Sequence, residues 1–242
     1  MKKILFPIVF IALFTSCAEE EKKNDNTVNA VTMDSAFAAQ QAHLGDKTKT
    51  DTSKAVALPN VQMGDIIMQN RTDDHAKFLS AFTGSKYNNM GIVFQRPKDN
   101  LLMVMSVTDS VKVFPLTEWV SAGEGQHVAL LRIKNAAIYF NDKHTEALKH
   151  QLKSMRGIPF DQYCDWTDDQ LYCSEFIYKA YHDALGVVLC QPVKFSTLNY
   201  ADPLAKKVFY GKYTSGQFPA DMDVVTPDLI YHSAALDVIF EK

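Results

Sequence analysis

Hydrophobic residues alternate with polar ones, or form short unbroken runs, along the first half of the globular sequence. Runs of this length that are rich in aliphatic residues and bounded by polar turns predict β-strands. Five runs have this pattern: GDIIMQN (64–70), MGIVFQ (90–95), LLMVMSV (101–107), VKVFPL (111–116) and QHVALLRI (126–133). The turns RPKDN and TDS join the second, third and fourth runs, which favours an antiparallel meander. A last strand is predicted within DLIYHSAALDVIFE (228–241).

Three other stretches repeat apolar residues at the spacing of an α-helix. DDHAKFLSAFTG (73–84) ends in a glycine as a capped helix does, and residues 143–155 predict a polar helix. A third helix is predicted to begin near Cys173 and to end at Gly186. Its apolar face consists of Phe176, Ile177, Ala180, Tyr181, Ala184 and Leu185. Strands first, then a central helix and a mixed remainder, favour an α+β fold.

The first 17 residues, MKKILFPIVFIALFTSC, predict an export signal that is not part of the fold. Two lysines precede an apolar run at 4–14, which is too short to span a bilayer but suits the core of a signal peptide. Thr15 and Ser16 directly before Cys17 resemble the bacterial lipobox, and this resemblance implies that Cys17 is lipidated. A plain signal peptide with an incidental cysteine is the alternative. Ala18 is not the aspartate that resembles an inner-membrane retention signal, which favours the outer membrane.

A change in composition marks the start of the globular part. Residues 18–56 are polar and poor in aromatic side chains, which predicts a flexible tether. The predicted organisation is therefore a lipoprotein signal peptide (1–17), a tether (18–56) and one folded domain (57–242), exported and anchored to the cell envelope by lipid.

Charge and cysteine content exclude several kinds of function. The formal net charge of −3, with no basic stripe, argues against a nucleic-acid partner. After Cys17, three cysteines remain at positions 164, 173 and 190, so at least one thiol has no intrachain disulfide partner. The chain has no CxxC pair and its seven histidines are scattered, which gives no support for a zinc site. We therefore expect neither a metal nor another cofactor.

Cys173 stands where a helix is predicted to begin, and that position suits a thiol nucleophile. Unpaired backbone N–H groups and the helix dipole lower the pKa of a thiol there, and the same N–H groups can hold an oxyanion. A buried structural cysteine is the alternative, since free cysteine is among the most buried residue types.

The segment LYCSEFIYKAY (171–181) resembles the YCSE-helix motif of the YiiX-like permuted papain-fold cysteine hydrolases, circularly permuted relatives of the NlpC-type cell-wall peptidases. Further segments resemble the family in its own order, and together they cover roughly 60–240: GDIIMQN, TGSKYNNMGIVF, MVMSVTDSVKVFPLTEWV, GIPFDQY and TPDLIYHS. The resemblance implies a papain-like fold in which a small antiparallel sheet, in part a barrel, packs against the cysteine-bearing helix. It also implies that Cys173 is the nucleophile.

The same resemblance locates the base, and the base is missing. The family has a histidine two residues before the glycine of the GIV strand and an acidic residue on the next strand. This chain has Asn89 at the first position and Ser106 at the second. An amide nitrogen is not basic near neutral pH, so Asn89 cannot carry the thiol proton as an imidazole does.

Three other histidines are candidates to replace the missing base. His182 lies nine residues after Cys173, on the opposite face of a regular helix, and is excluded. His75 and His127 remain open, although both are expected at the surface.

Three functional hypotheses follow from these residues, of which the third, a purely structural envelope lipoprotein, explains the retained Cys173 less well. The first is a lipid-anchored thiol hydrolase of amide or ester bonds, with weak or lost activity and with peptides, peptidoglycan stems or acyl lipids as substrates. The second is a catalytically degenerate module that binds a small-molecule, peptide or lipid ligand of the envelope without turning it over.

Overall fold

The structure is a computed structural model and describes residues 58–213 and 217–242. The predicted signal peptide, the tether and Cys17 lie outside the described residues. Within the described part of the chain, no helix combines the length and the apolar character needed to cross a membrane.

Strands and helices are mixed along the described chain, as an α+β fold requires. The strands are β1 (Ile66–Gln69), β2 (Asn89–Gln95), β3 (Leu102–Val107), β4 (Val111–Pro115), β5 (Val128–Ile133), β6 (Val193–Lys194), β7 (Asp223–Val224) and β8 (Leu236–Glu241). The α-helices are α1 (Asp74–Thr83), α2 (Leu116–Ser121), α3 (Ala136–Tyr139), α4 (Asp142–Met155), α5 (Cys173–Leu185), α6 (Pro203–Lys212) and α7 (Pro227–Tyr231).

Six of the strands form one antiparallel sheet in the order β4-β3-β2-β1-β5-β8. The predicted meander of β2, β3 and β4 is confirmed, and β1 lies in the centre of the sheet between β2 and β5. One face of this sheet packs against α2 through Trp119 and Val120, which join Ile67, Val93 and Leu130 in a buried apolar cluster. The strands β6 and β7 form a separate two-stranded ribbon.

Two capped helices border the region around Cys173. Asp73 accepts a hydrogen bond from Ala76 N at 3.2 Å and begins α1, and Gly84 ends that helix in the left-handed conformation. The helix α5 contacts β2, β3 and α4, and it ends at Gly186, also left-handed. Both predicted C-terminal glycines are therefore confirmed.

Two predicted strands were wrong in part. The run 111–116 is a strand only to Pro115, because Leu116, Trp119 and Val120 are buried at helical spacing and form α2. In the predicted last strand, 228–231 belongs to a helix that Thr226 caps by accepting from Leu229 N at 3.2 Å, and only 236–241 is extended.

The pattern of apolar residues did not predict α6. This helix begins at Asp202, whose side chain accepts from Leu204 N at 2.8 Å, and it buries Ala205 and Phe209. The ring of Phe209 lies 4.9 Å from that of Phe82 and 5.4 Å from that of Phe78. The helix α6 therefore packs against α1 through these aromatic rings.

Candidate active site

Cys173 is the first residue of α5, and its thiol faces the beginning of β2. The side chain is 5% exposed, and Sγ lies 3.8 Å from the backbone carbonyl oxygen of Asn88. Burial raises the pKa of Cys173 to about 12, although hydrogen bonds from the backbone N–H groups of Ser174 and Met90 act in the opposite direction. The expectation that the helix end lowers this pKa was therefore wrong, because loss of hydration outweighs the helix N-terminus.

Asn89 begins β2 and lies in the same cavity as Cys173. It pairs with Gln69 of β1, and its side chain is 4% exposed. Its Nδ2 is buried and has no hydrogen-bond partner among the described residues. A buried amide nitrogen without a partner is costly to desolvate, so a carbonyl oxygen supplied by a ligand would stabilise it.

Ser106 lies behind Asn89 and does not line the cavity. It pairs with Gly91 in the β2–β3 ladder, which places it on the same face of the sheet as Asn89, two residues along. Its side chain is completely buried, and Oγ donates to Met90 O at 2.8 Å and lies 3.2 Å from Asn89 Oδ1. Cys173 and Asn89 therefore line one cavity, and Ser106 contacts Asn89 from outside the cavity lining.

The cavity in front of Cys173 has a volume of about 340 Å³. Its inner wall is mostly apolar and is formed by Ala76, Phe78, Leu79, Val107, Phe160 and Tyr172. Polar side chains stand at the rim, namely Arg71, Asp73, His75 and Asp109. A cavity of this kind suits a ligand with an apolar part and a polar end.

Of the histidines considered as substitute bases, only His75 contributes to this cavity. It lies in the first turn of α1, is exposed, and contacts Phe160 with ring centroids 4.6 Å apart and ring planes tilted by 53°. His127 is exposed beside Gly125 and does not line the cavity. His182 is exposed near the end of α5 and contacts Asp183.

The pattern of the sequence did not single out two buried carboxylates, Glu175 in the first turn of α5 and Asp161 earlier in the chain. Glu175 is fully buried, forms an ion pair with Lys179 at 2.8 Å and is turned towards the backbone N–H of Tyr172, as the glutamate of a capping box is. Burial raises the pKa of Glu175 to about 8 and that of Asp161 to about 6. One feature of the sequence could have identified Glu175: it follows the N-cap residue Tyr172 by three positions in the segment YCSE.

The short loop before β2 is held by a second polar residue that sequence reasoning missed. Asn88 Oδ1 accepts from Arg71 N at 2.8 Å, and Asn88 Nδ2 donates to Arg71 O at 3.1 Å and to Ser80 Oγ at 3.1 Å. These bonds fix the carbonyl group of Asn88 next to the thiol of Cys173. This backbone segment therefore forms a fixed side of the cavity next to Cys173.

Comparison with known proteins identifies the family. A sequence model of the family described as "permuted papain-like amidase enzyme, YaeF/YiiX, C92 family" matches residues 60–240. The uncharacterized protein YiiX of Escherichia coli strain K12 is 27% identical over 184 residues, which are 75% of this chain and 87% of that protein. The crystal structure of yiiX from Escherichia coli O157:H7 superimposes with a TM-score of 0.67 at 26% identity, covering 75% of this chain and 97% of that one.

The crystal structure of that relative is described as one of a metalloprotein. Across residues 58–213 and 217–242 of this chain, no group of three or more His, Cys, Asp or Glu side chains could hold a metal ion. The fold and the match over most of its length show that the chain belongs to the family of permuted papain-like amidases.

Proposed function

We propose that this protein binds amide- or ester-containing ligands of the cell envelope in the Cys173 cavity and turns them over slowly or not at all. The proposal rests on the residue that stands where the family has its catalytic histidine. Asn89 stands there beside a buried thiol, and Ser106 stands behind it.

The chemistry of this arrangement disfavours rapid turnover. A thiol with a pKa of about 12 is almost wholly protonated at neutral pH, and only the thiolate is a good nucleophile. Asn89 cannot accept the proton or return it to a leaving group. General acid–base help is worth about 10²–10⁴-fold in rate, and this is the contribution we expect to be lost.

The same residues suit binding. Asn89 Nδ2 can donate to the carbonyl oxygen of an amide or ester, which gives this buried nitrogen the partner it lacks among the described residues. The aromatic and aliphatic wall around Phe78, Leu79 and Phe160 can enclose the attached apolar group. Peptides, peptidoglycan stems and acyl lipids all contain such a carbonyl beside an apolar group.

A second candidate is an active hydrolase in which His75 replaces the family's histidine. The observation that favours it is that His75 lines the same cavity as Cys173. In that mechanism His75 would take a proton from a water molecule or from the thiol and return it to the leaving group.

We further propose that the protein is exported and tethered by lipid on Cys17, in the outer membrane. The short apolar run followed by Thr-Ser-Cys supports this location. Replacing Cys17 with alanine should then release the protein from the membrane fraction or leave it unprocessed, and mass spectrometry of the mature N-terminus tests the lipid directly.

Hydrolysis of p-nitrophenyl acyl esters tests the proposed function. The natural protein should be slow, Asn89→His should raise the rate by up to about 10²-fold, and Asn89→His with Ser106→Glu should raise it by about 10²–10⁴-fold. Cys173→Ala should abolish every gain. His75→Gln is the discriminating variant: it should leave the natural protein unchanged, whereas a loss of enzyme-like turnover would favour the second candidate and contradict the first.

A further inference from the structure

A second cavity of about 600 Å³ opens at the surface beside the Cys173 cavity. It is lined by the loop before α1, the outer face of α1, the loop before β2 and one residue of α6, and its lining includes Asn70, Lys77, Ser80, Lys86, Glu124 and Leu204. Arg71 and Asn88 line both cavities. We call this second cavity the outer groove.

Three cations line the outer groove, namely Arg71, Lys77 and Lys86, together with the carboxylate of Glu124. Carboxylates outside the lining balance two of these cations: Lys86 is paired with Glu241, and Arg71 Nε donates to Asp73 at 2.7 Å. Within the part of the chain that the structure describes, neither the two Nη groups of Arg71 nor Nζ of Lys77 has a partner. The groove therefore carries no net positive charge, but these cationic N–H donors are available to an anionic ligand.

The outer groove is also connected to the nucleophile position through the backbone. Arg71 N and O are bound by the Asn88 amide at 2.8 and 3.1 Å, and Asn88 O lies 3.8 Å from Cys173 Sγ. Because Arg71 lines both cavities, one ligand can contact its guanidinium group and also occupy the Cys173 cavity. The planar guanidinium group suits a carboxylate or a phosphate, which it can contact with two donors.

We propose that the outer groove binds the anionic group of the same ligand whose apolar part fills the Cys173 cavity. The substrate class is then an amphiphilic amide or ester, with an acyl or similar apolar chain on one side of the carbonyl and a carboxylate or phosphate on the other. This inference rests on the proposed function, because it assumes that the ligand occupies the Cys173 cavity.

Isothermal titration of the full chain with matched probes tests this proposal. N-octanoylglycine carries an apolar chain, an amide and a carboxylate, and N-octanoylglycinamide differs only in having a neutral end. We expect the carboxylate to bind about tenfold more tightly than the amide at low salt, as two or three partly exposed charge contacts allow. The preference should shrink in high salt, which screens exposed charges. N-octanoyl-aminomethylphosphonate keeps the apolar chain and the amide and identifies the anion: tighter binding than N-octanoylglycine indicates a phosphate, and weaker binding a carboxylate.

Charge variants locate the site. Lys77→Gln should reduce the preference for the carboxylate several-fold while the neutral amide keeps its affinity. Arg71→Gln should reduce the preference at least as much, and because Arg71 lines both cavities it should also weaken binding of the neutral amide. Lys207→Gln removes an exposed cation of α6 that does not line the groove, and it should leave the preference unchanged. Equal affinities of the natural protein for N-octanoylglycine and its amide would overturn the anionic subsite while leaving the proposed function intact. If neither probe binds, both proposals fail.

Discussion

Ser106 Oγ lies 3.2 Å from Asn89 Oδ1 on the neighbouring strand, so two neutral polar groups are in contact behind the thiol of Cys173. Neither group titrates near neutral pH, and neither can stabilise a thiolate as an imidazolium would. The thiol of Cys173 is also buried, and burial raises its pKa. These contacts support the proposal that the groups around Cys173 lack the charges that activate the thiol of a cysteine hydrolase.

Thiol reactivity provides the most direct measurement of this state. We expect Cys190 to react with iodoacetamide before Cys173 does, because Cys190 is partly exposed and burial raises its pKa only to about 11. The rate at Cys173 should keep rising with pH to about 11, since its pKa is about 12. Timed quenching followed by peptide mass spectrometry of the full chain gives both rates.

A matched variant separates accessibility from activation. In Cys190→Ser the rate at Cys173 should be unchanged, whereas in Asn89→His it should rise near neutral pH because an imidazole can stabilise the thiolate. A plateau in the natural rate at Cys173 near pH 7 would contradict the predicted state and would direct attention to His75.

Most strands around the site could be predicted because their local sequence is unambiguous. Aliphatic runs bounded by polar turns give β1, β2, β3 and β5, and Gly84 and Gly186 mark where α1 and α5 end. The helix α2 was missed because Leu116, next to Pro115, fits a strand or a helix equally well in a short window, and α7 was missed because the short apolar run 229–231 has the same ambiguity.

The electrostatics of the site could not be predicted from the sequence, because they depend on tertiary burial. The start of a helix at Cys173 was visible in the sequence, but the loss of hydration that dominates its pKa was not. The contacts of Asn88 with Arg71 and Ser80 join residues 8 to 17 positions apart, which no local pattern reveals.

Gly91 allows β2 and β3 to approach closely, and this should make Gly91→Ala strongly destabilising. A Cβ atom at this position would lie 2.7 Å from Met105 O and in conflict with Val104 Cγ1. Overpacking of this kind costs about 1–3 kcal/mol in the free energy of unfolding. Urea unfolding should show a lower midpoint.

Gly211→Ala is the control. Gly211 lies in α6, and among the described residues only Tyr163 Oη, at 4.0 Å, lies near the methyl group that alanine would add. This substitution should leave the unfolding midpoint unchanged or raise it slightly. Equal midpoints for the two variants would contradict the packing argument.

The pKa of Asp161 predicts that stability falls as pH rises from about 4 to about 6. Burial raises this pKa from 3.8 to about 6, so the unfolded chain loses the proton first and the folded state is penalised above that range. Oδ1 accepts from Tyr163 N at 2.7 Å, but Oδ2 has no partner in the described structure. Asp161→Asn should remove a pH-dependent term on the order of 2 kcal/mol, measured by urea unfolding at pH 4 and pH 7. Asp169→Asn removes an exposed carboxylate and should retain the pH dependence of stability. If this control variant also loses the pH dependence, Asp161 is not its source.

Glu241 of β8 should hold the loop that leads into β2. Its carboxylate accepts from Lys86 Nζ, from Tyr87 Oη at 2.6 Å and from Tyr231 Oη at 3.0 Å. The hydrogen bond from Lys86 is the main reason that the pKa of Glu241 is lowered to about 2. Because the folded pKa is below the ordinary value of 4.5, this contribution is present above pH 4.5 and is lost as pH falls towards 2.

Replacing Glu241 with glutamine should therefore lower the thermal unfolding midpoint at pH 7 and have little effect near pH 2, where the natural carboxylate is itself becoming protonated. Tyr87→Phe removes one buried donor and should cost about 1 kcal/mol at pH 7. Glu146→Gln, which breaks an exposed pair with Lys149 on α4, serves as the control and should leave the midpoint nearly unchanged. Since Tyr87 and Lys86 lead directly to Asn88 and Asn89, Glu241→Gln should also speed hydrogen exchange of the 86–89 amides. If stability drops equally at pH 2 and pH 7, Glu241 acts through packing and not through its charge.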